Sequence, residues 1–162
     1  MSTRPVDGPD EPRWLDADDK AAWTGLVSLI MLLPGRLESP LQHAHGITLF
    51  EYLVLSHMSE APRRRLRMSE LAFLTNGSLS RLSNVVKRLE GRGWVQRSSD
   101  PDDGRYTVAA LTDDGFAVVQ DAAPTHLRAV RALVLDQLDA TDRTALARIA
   151  EKLRVRPSDL AG

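Results

Sequence analysis

Residues 68 to 97, MSELAFLTNGSLSRLSNVVKRLEGRGWVQR, constrain the fold more than any other part of the chain. They read as a short helix, a tight turn, a longer helix and the start of a strand. Leu71, Ala72 and Leu74 have helical spacing within a short element over residues 69 to 74. Asn76 and Gly77 break that element, because both tolerate the positive φ of a tight turn. Ser78 stands where the N-cap of the next helix belongs, its hydroxyl able to accept from a free backbone N–H. From Leu79 the apolar positions are 79, 82, 85, 86 and 89, a stripe about 120° wide when each residue advances ~100°. The opposite face carries Ser80, Arg81, Ser83, Asn84, Lys87 and Arg88, and no acid. Short hydrogen-bonding side chains mixed with long cations suit base edges in a major groove and the phosphates beside it. Gly91 and Gly93 end the helix, which spans residues 78 to 92.

WVQRSS (94 to 99) and YTVAAL (106 to 111) read as strands flanking DPDDGR, whose Asp, Pro and Gly mark a hairpin tip. A helix-turn-helix followed at once by a two-stranded ribbon is a winged helix, with Arg105 near the tip of the wing. LRM (66 to 68) is a candidate for a minimal strand at the base of that wing.

The net charge of −1 over 162 residues does not by itself suggest a nucleic-acid partner, but its distribution does. Residues 63 to 97 hold nine Arg or Lys against Glu70 and Glu90, whereas residues 1 to 19 hold six acids against Arg4 and Arg13. A local basic field within a neutral protein fits a reader of DNA, and a solvated basic face is the blander alternative. The length fits one domain. The absence of cysteine excludes disulfides, thiolate metal sites and thiol redox sensing. No apolar run approaches the ~18 residues of a membrane span, and no signal-peptide pattern opens the chain, so a cytoplasmic location is expected.

Residues 1 to 15 are polar and broken by Pro5, Gly8, Pro9 and Pro12, and read as a disordered tail. Asp16 can cap a helix from Ala17 whose Trp23, Leu26, Val27, Ile30, Met31 and Leu33 form a broad apolar face. Pro34-Gly35 interrupts it, and residues 35 to 46 continue as a kinked second part or as a separate short helix. Thr48-x-x-Glu51 is a capping box, followed by Leu49, Leu53, Val54, His57 and Met58 on the next helix. APRRR (61 to 65) reads as a loop, its arginines open to phosphate or simply solvated. Thr112 caps a long helix with Asp113 and Asp114 in its first turn, and Pro124 predicts a kink or a break within it. Asp139-x-x-Asp142 caps a last helix, with Leu146, Ile149, Ala150 and Leu153 on one face. Met31 and Met58 fall at positions expected to be buried. The apolar faces of residues 22 to 33 and 127 to 153 exceed what one winged helix can hide, which predicts a dimer.

Catalytic and metal chemistry find no support. His43 and His45 are two apart and would diverge on a helix, while His57 and His126 read as core or interface histidines, His57 also as a pocket donor. Gly91-Arg92-Gly93 is too short for a dinucleotide fingerprint, and Asp100, Asp102 and Asp103 lack the downstream bidentate Glu of a calcium loop. No Ser, His and Asp stand in a nucleophile setting. No enzyme activity, metal or cofactor is expected.

The chain resembles the MarR family of bacterial transcriptional regulators in four segments. These are ITLFEYLVL (47 to 55), LRMSELA (66 to 72), the pattern SxSRLSxxVKRLExRGWV (78 to 95) and DPDDGRYTVAALTDDG (100 to 115). The last matches the family's wing signature at Asp103, Arg105, Leu111, Thr112 and Gly115. The resemblance covers roughly residues 18 to 156.

It implies a mainly α fold with a small β-wing: a winged helix-turn-helix (47–111) between an N-terminal dimerisation helix region (16–46) and C-terminal dimerisation helices (112–162). It implies a homodimeric, sequence-specific DNA-binding regulator, a repressor of an inverted-repeat operator. Ser78, Ser80, Arg81, Ser83, Asn84, Lys87 and Arg88 would serve the major groove, and Arg105 the adjacent minor groove. Asp103, two positions before Arg105, can hold its guanidinium by a charge-assisted bond. A pocket between the DNA-binding lobe and the dimer helices would take a small aromatic or anionic effector. Two rival readings remain: a constitutive or architectural DNA-binding protein without effector, and a winged helix used for protein contact. The second predicts an apolar recognition face, where the sequence has Ser, Asn and Arg.

Overall fold

The structure, a computed structural model, describes residues 12–153 and divides into two compact units, one ending at Gly35 and one beginning at Arg36. Residues 1 to 11, most of the expected tail, lie outside the described residues, and so do residues 154 to 162 of the expected C-terminal region.

In the first unit, Asp16 Oδ1 accepts the Asp19 backbone N–H (2.8 Å), and helix α1 (Ala17–His45) begins immediately after it. Asp18 and Asp19 occupy the first turn, where the peptide dipoles favour negative charge. Both Pro34 and Gly35 fall within the bounds of α1, so the helix is not divided into separate elements there. An interior proline removes one backbone donor and crowds the carbonyl four residues before it, a local cost that the turns on either side of Pro34 absorb without ending the helix. Met31, expected to be buried, is instead 79% exposed, and Trp23, Ile30 and Leu29 are also exposed. A single helix offers its apolar side chains no second surface within this unit.

In the second unit the capping box at Thr48 forms as the sequence predicts. Thr48 Oγ1 accepts the Glu51 N–H (3.1 Å), Glu51 Oε2 accepts the Thr48 N–H (2.9 Å), and α2 (Leu49–Glu60) follows. The buried apolar residues of α2 are Phe50, Tyr52, Val54, Leu55 and Met58, with Leu49 and Leu53 only partly covered. The helix is apolar on nearly every side, so periodicity alone could not choose its inner face. A 3-10 turn (Pro62–Arg64) leads into β1 (Arg65–Arg67), one residue earlier than the predicted LRM strand, because Met68 already starts α3 (Met68–Leu74). Asn76 takes the left-handed conformation (φ 50°), while Gly77 packs closely on Phe50: a Cβ there would stand 2.8 Å from Cζ and the ring would have to shift.

Helix α4 (Leu79–Gly91) and the strands β2 (Val95–Ser99) and β3 (Thr107–Leu111) complete the predicted helix-turn-helix and wing. The sheet is antiparallel in the order β1-β3-β2, with Arg67 opposite Val108 and Ser99 opposite Thr107. Leu82, Val85, Val86 and Leu89 of α4 join Val54, Leu55, Met58, Leu71, Val95, Ala109 and Leu111 in one core. A smaller cluster holds Leu41, Ile47, Tyr52 and Ala122.

Helix α5 (Asp113–Leu133) passes through Pro124 as one element, not two. Thr112 anchors its start: Oγ1 accepts the Gly115 N–H (3.0 Å) and donates to the Gly93 carbonyl (2.8 Å). Gly115 is obligatory there, since a Cβ would press on the Trp94 carbonyl and lie 2.7 Å from Leu111 Cδ1. The signature residues Leu111, Thr112 and Gly115 thus lock the wing to the following helix. Helix α6 (Ala140–Lys152) opens with the Asp139/Asp142 capping box, and its Leu146 and Ile149 are exposed. No helix among the described residues is long and apolar enough to cross a membrane.

Candidate nucleic-acid interface

Helix α4 starts as its sequence dictates, with Ser78 Oγ accepting the Arg81 backbone N–H at 3.2 Å. Its apolar stripe is buried from Leu82 to Leu89, and this turns Ser80, Arg81, Asn84, Lys87 and Arg88 outward. Leu79, predicted within the buried stripe, is 55% exposed. It occupies the first turn and overhangs a cleft of about 290 Å³ that α4 shares with the wing, also lined by Ser83, Arg97, Arg105 and Tyr106. Ser83 is half-buried against that cleft.

The outward cations differ in how firmly the protein holds them. The Arg81 guanidinium lies 4.1 Å over the Phe50 ring, a cation–π contact that directs it without neutralising it. Arg88 reaches Glu51 of α2 through Nε (3.4 Å) and Nη2 (3.3 Å), so one side of its guanidinium is committed to the scaffold. Lys87 has no ion pair among the described residues.

At the wing tip, Arg105 and Asp103 form a two-pronged pair, Nε–Oδ1 at 2.9 Å and Nη2–Oδ2 at 2.6 Å, and Asp103 Oδ1 also accepts the Arg105 backbone N–H. The arrangement predicted for Asp103 is present. The Arg105 side chain nevertheless remains 83% exposed, so the pair orients the guanidinium without hiding it. The Arg105 hydrogen bonds hold the Asp103 carboxyl below the usual carboxylate range, and Asp103 in turn raises Arg105.

The base of the tip depends on Asp100 and Arg67, neither of which the sequence assigns to the interface. Asp100 is buried; its Oδ2 accepts from Arg67 Nε (2.6 Å) and its Oδ1 from the Asp102 backbone N–H (2.9 Å). Chiefly through the Asp102 N–H, and then through Arg67, its carboxyl sits below the ordinary range. An Asp that bonds the backbone two residues on is a turn signal readable in Asp-Pro-Asp, but nothing local announces Arg67.

The basic excess of residues 63 to 97 is smaller in space than in sequence. Arg64 pairs with Asp113 (3.0 Å), Arg67 with Asp100, Arg88 with Glu51 and Arg97 with Glu90 (2.7 Å). Three of those four acids lie outside that stretch. Arg92 donates to the Gly46 carbonyl and stacks on Trp94. Two of the histidines have structural contacts: His45 bonds Asp121 Oδ2 and Thr125 Oγ1, both at 3.0 Å, and His126 packs on Tyr52.

A helix-turn-helix whose second helix turns a polar, cationic face outward beside an arginine-tipped hairpin defines a winged-helix protein of the DNA-binding kind. A sequence model of the MarR family matches residues 45–105. An HTH-type transcriptional repressor of Mycobacterium tuberculosis is 33% identical over 108 residues, which are 67% of this chain and 76% of the repressor. A MarR family transcriptional regulator from Streptomyces coelicolor, crystallised in complex with DNA, superposes with a TM-score of 0.84 at 41% identity, over 89% of this chain and 90% of its own. AbsC, a MarR family regulator from the same organism, gives 0.82 at 34% identity, over 88% and 95%. The chain belongs to the MarR family of DNA-binding transcriptional regulators, which are not enzymes.

Proposed function

We propose that the protein is a cytoplasmic homodimer that represses transcription by binding an inverted-repeat operator, and that a small aromatic or anionic molecule releases it. The observation that carries the DNA reading is the outer face of α4, where Ser80, Arg81, Asn84 and Lys87 are exposed and no acid competes for them. These side chains, with Ser78 and Ser83, are assigned to base edges and phosphates of a major groove, and Arg105 to the next minor groove. Arg88 is given a smaller direct share, since Glu51 already holds it. The recognition face carries Ser, Arg, Asn and Lys in place of an apolar patch, which favours DNA over a protein partner.

A second copy explains the apolar side chains that each unit leaves in solvent, Trp23, Ile30 and Met31 in the first, Leu127, Leu146 and Ile149 in the second. Two-fold symmetry then places half-site centres about one helical turn, ~10 base pairs, apart. The sequence has no cysteine, so release rests on a bound ligand that prefers the conformer with misplaced recognition helices. A tenfold loss of DNA affinity requires about 1.4 kcal/mol of such preference.

Light scattering with footprinting on the DNA flanking the gene tests the assembly. A dimer protecting two half-sites is expected; a micromolar monomer or a single protected half-site rejects it. A metabolite screen tests release, with a ligand expected to raise the melting temperature and weaken operator binding. Reversible release by mild peroxide contradicts the ligand mechanism, and a screen without thermal shift or effect on binding favours the constitutive reading.

A further inference from the structure

We infer that Arg67, in the edge strand ahead of the helix-turn-helix, is a positioning residue for the wing, setting through Asp100 the hairpin tip from which Arg105 is presented. The inference rests on the reading of Arg105 as a DNA contact.

Arg67 is fixed from two directions. It pairs with Val108 in the sheet and is the N-cap residue of α3, so strand and helix both hold its backbone. From there its Nε bonds Asp100 Oδ2 at 2.6 Å, and its guanidinium lies 4.5 Å over the Tyr106 ring. These two residues are the ends of the tip. They also bond each other, Asp100 N–H to the Tyr106 carbonyl at 2.9 Å, and the Tyr106 N–H donates to the Asp103 carbonyl at 3.0 Å. The tip between them contains Pro101, Asp102, Asp103, Gly104 and Arg105, in which the Asp102 N–H donates to Asp100 Oδ1 and the Arg105 N–H to Asp103 Oδ1. A buried carboxylate must keep its partner, so the Asp100 side chain cannot leave Arg67 without stranding a charge. The consequence is an arginine at the apex whose backbone is held from the first strand. Helix-turn-helix and wing then move as one body, and the spacing between α4 and Arg105 is preset before DNA arrives.

Charge alone makes the opposite prediction from positioning. Asp100→Asn removes an acid near DNA, and on electrostatics alone it tightens binding. Positioning requires it to weaken binding. Arg67→Lys keeps the cation but loses the planar guanidinium that bonds Asp100 and covers Tyr106 at once. Operator affinity by fluorescence anisotropy is compared for the parent, Asp100→Asn, Arg67→Lys, Arg105→Ala and each of the first two combined with Arg105→Ala. Amide exchange of Asp102 and Arg105 is followed in the free proteins.

Asp100→Asn and Arg67→Lys are each expected to weaken binding on the order of tenfold and to speed exchange at the tip, with little further loss once Arg105 is alanine. Tighter or unchanged binding by Asp100→Asn overturns the proposal, as does an equal loss in both backgrounds, which marks Arg67 as an independent phosphate contact. Unchanged tip exchange in Arg67→Lys overturns it even where Asp100→Asn fails to fold. If Arg105→Ala itself binds like the parent, the DNA contact of Arg105 is rejected and the positioning role in binding falls with it. A normal loss in Arg105→Ala with parent-like behaviour of the other two rejects Arg67 alone.

Discussion

Nη2 of Arg88, on the outward half of α4, lies 3.3 Å from Oε1 of Glu51, whose other oxygen caps the start of α2. One buried carboxylate therefore closes a capping box and tethers the recognition helix. Glu51→Gln preserves the cap, for which Gln is an accepted residue, and weakens the tether; Glu51→Ala loses both. Urea unfolding should show a loss within about 1 kcal/mol for Glu51→Gln and about 1–2 kcal/mol for Glu51→Ala. Equal losses for the two variants would mean that the side-chain bond from residue 51 to the Thr48 N–H contributes nothing measurable.

Arg105→Ala is expected to weaken operator binding while leaving the protein's assembly state unchanged, because the exposed guanidinium has only Asp103 as an ion-pair partner among the described residues. Arg105→Lys should lose affinity as well, since an ammonium is more strongly hydrated and cannot reproduce the two-pronged contact with Asp103. Asp103→Ala should lose less, keeping the cation but not its orientation. The Asp103 carboxyl titrates below its ordinary value, so its contribution is complete above the ordinary carboxylate pKa and fades only as pH falls through the lowered one. Binding titrations at pH 6 to 8, roughly the neutral range, should therefore show no step from this pair. A parent-like titration by Arg105→Ala would remove the wing from the interface.

Burial holds the His126 imidazole below the ordinary histidine value, and its Nδ1 is buried without a hydrogen-bond partner among the described residues. A ring whose pKa drops on folding binds fewer protons folded than unfolded. Its stabilising contribution is then complete above about pH 6.5 and declines as pH falls from there through the folded value. Unfolding midpoints should fall between about pH 7 and pH 5, and His126→Phe should flatten that slope while keeping a ring against Tyr52. Parallel pH profiles for parent and variant would show that His126 is not the group responsible.

Gly115 and Gly91 should respond in opposite ways to the same substitution. A Cβ at Gly115 meets the Trp94 backbone and Leu111, so Gly115→Ala is expected to cost about 1–3 kcal/mol and to lower the melting temperature. A Cβ at Gly91 meets nothing within 4 Å, and alanine there should be neutral or stabilise by up to about 1 kcal/mol through helix propensity. Matching melting temperatures for the two variants would contradict the close docking of α5 on the Gly93–Trp94 turn.

Every helix start but that of α3, which has no side-chain cap, was legible in the chain because a cap is a local device. Asp16, Thr48, Ser78, Thr112 and Asp139 each accept a backbone N–H three residues on, within reach whatever the rest of the fold does. The inner face of α4 was legible for a related reason, its apolar and polar residues being segregated at helical spacing, and Asp-Pro-Asp-Asp-Gly carries the turn chemistry of the wing tip. The partners that hold the interface in place had no such signature. Arg67 and Asp100 are 33 positions apart, Arg88 and Glu51 37, His45 and Asp121 76. A side chain several ångströms long says nothing about which distant element will face it; sequence patterning left the inner face of α2 open and put Leu79 in the buried stripe, although the fold leaves it 55% exposed. The fold decides these by bringing elements within hydrogen-bond distance, and in doing so it neutralises four of the nine cations that made residues 63 to 97 look uniformly basic.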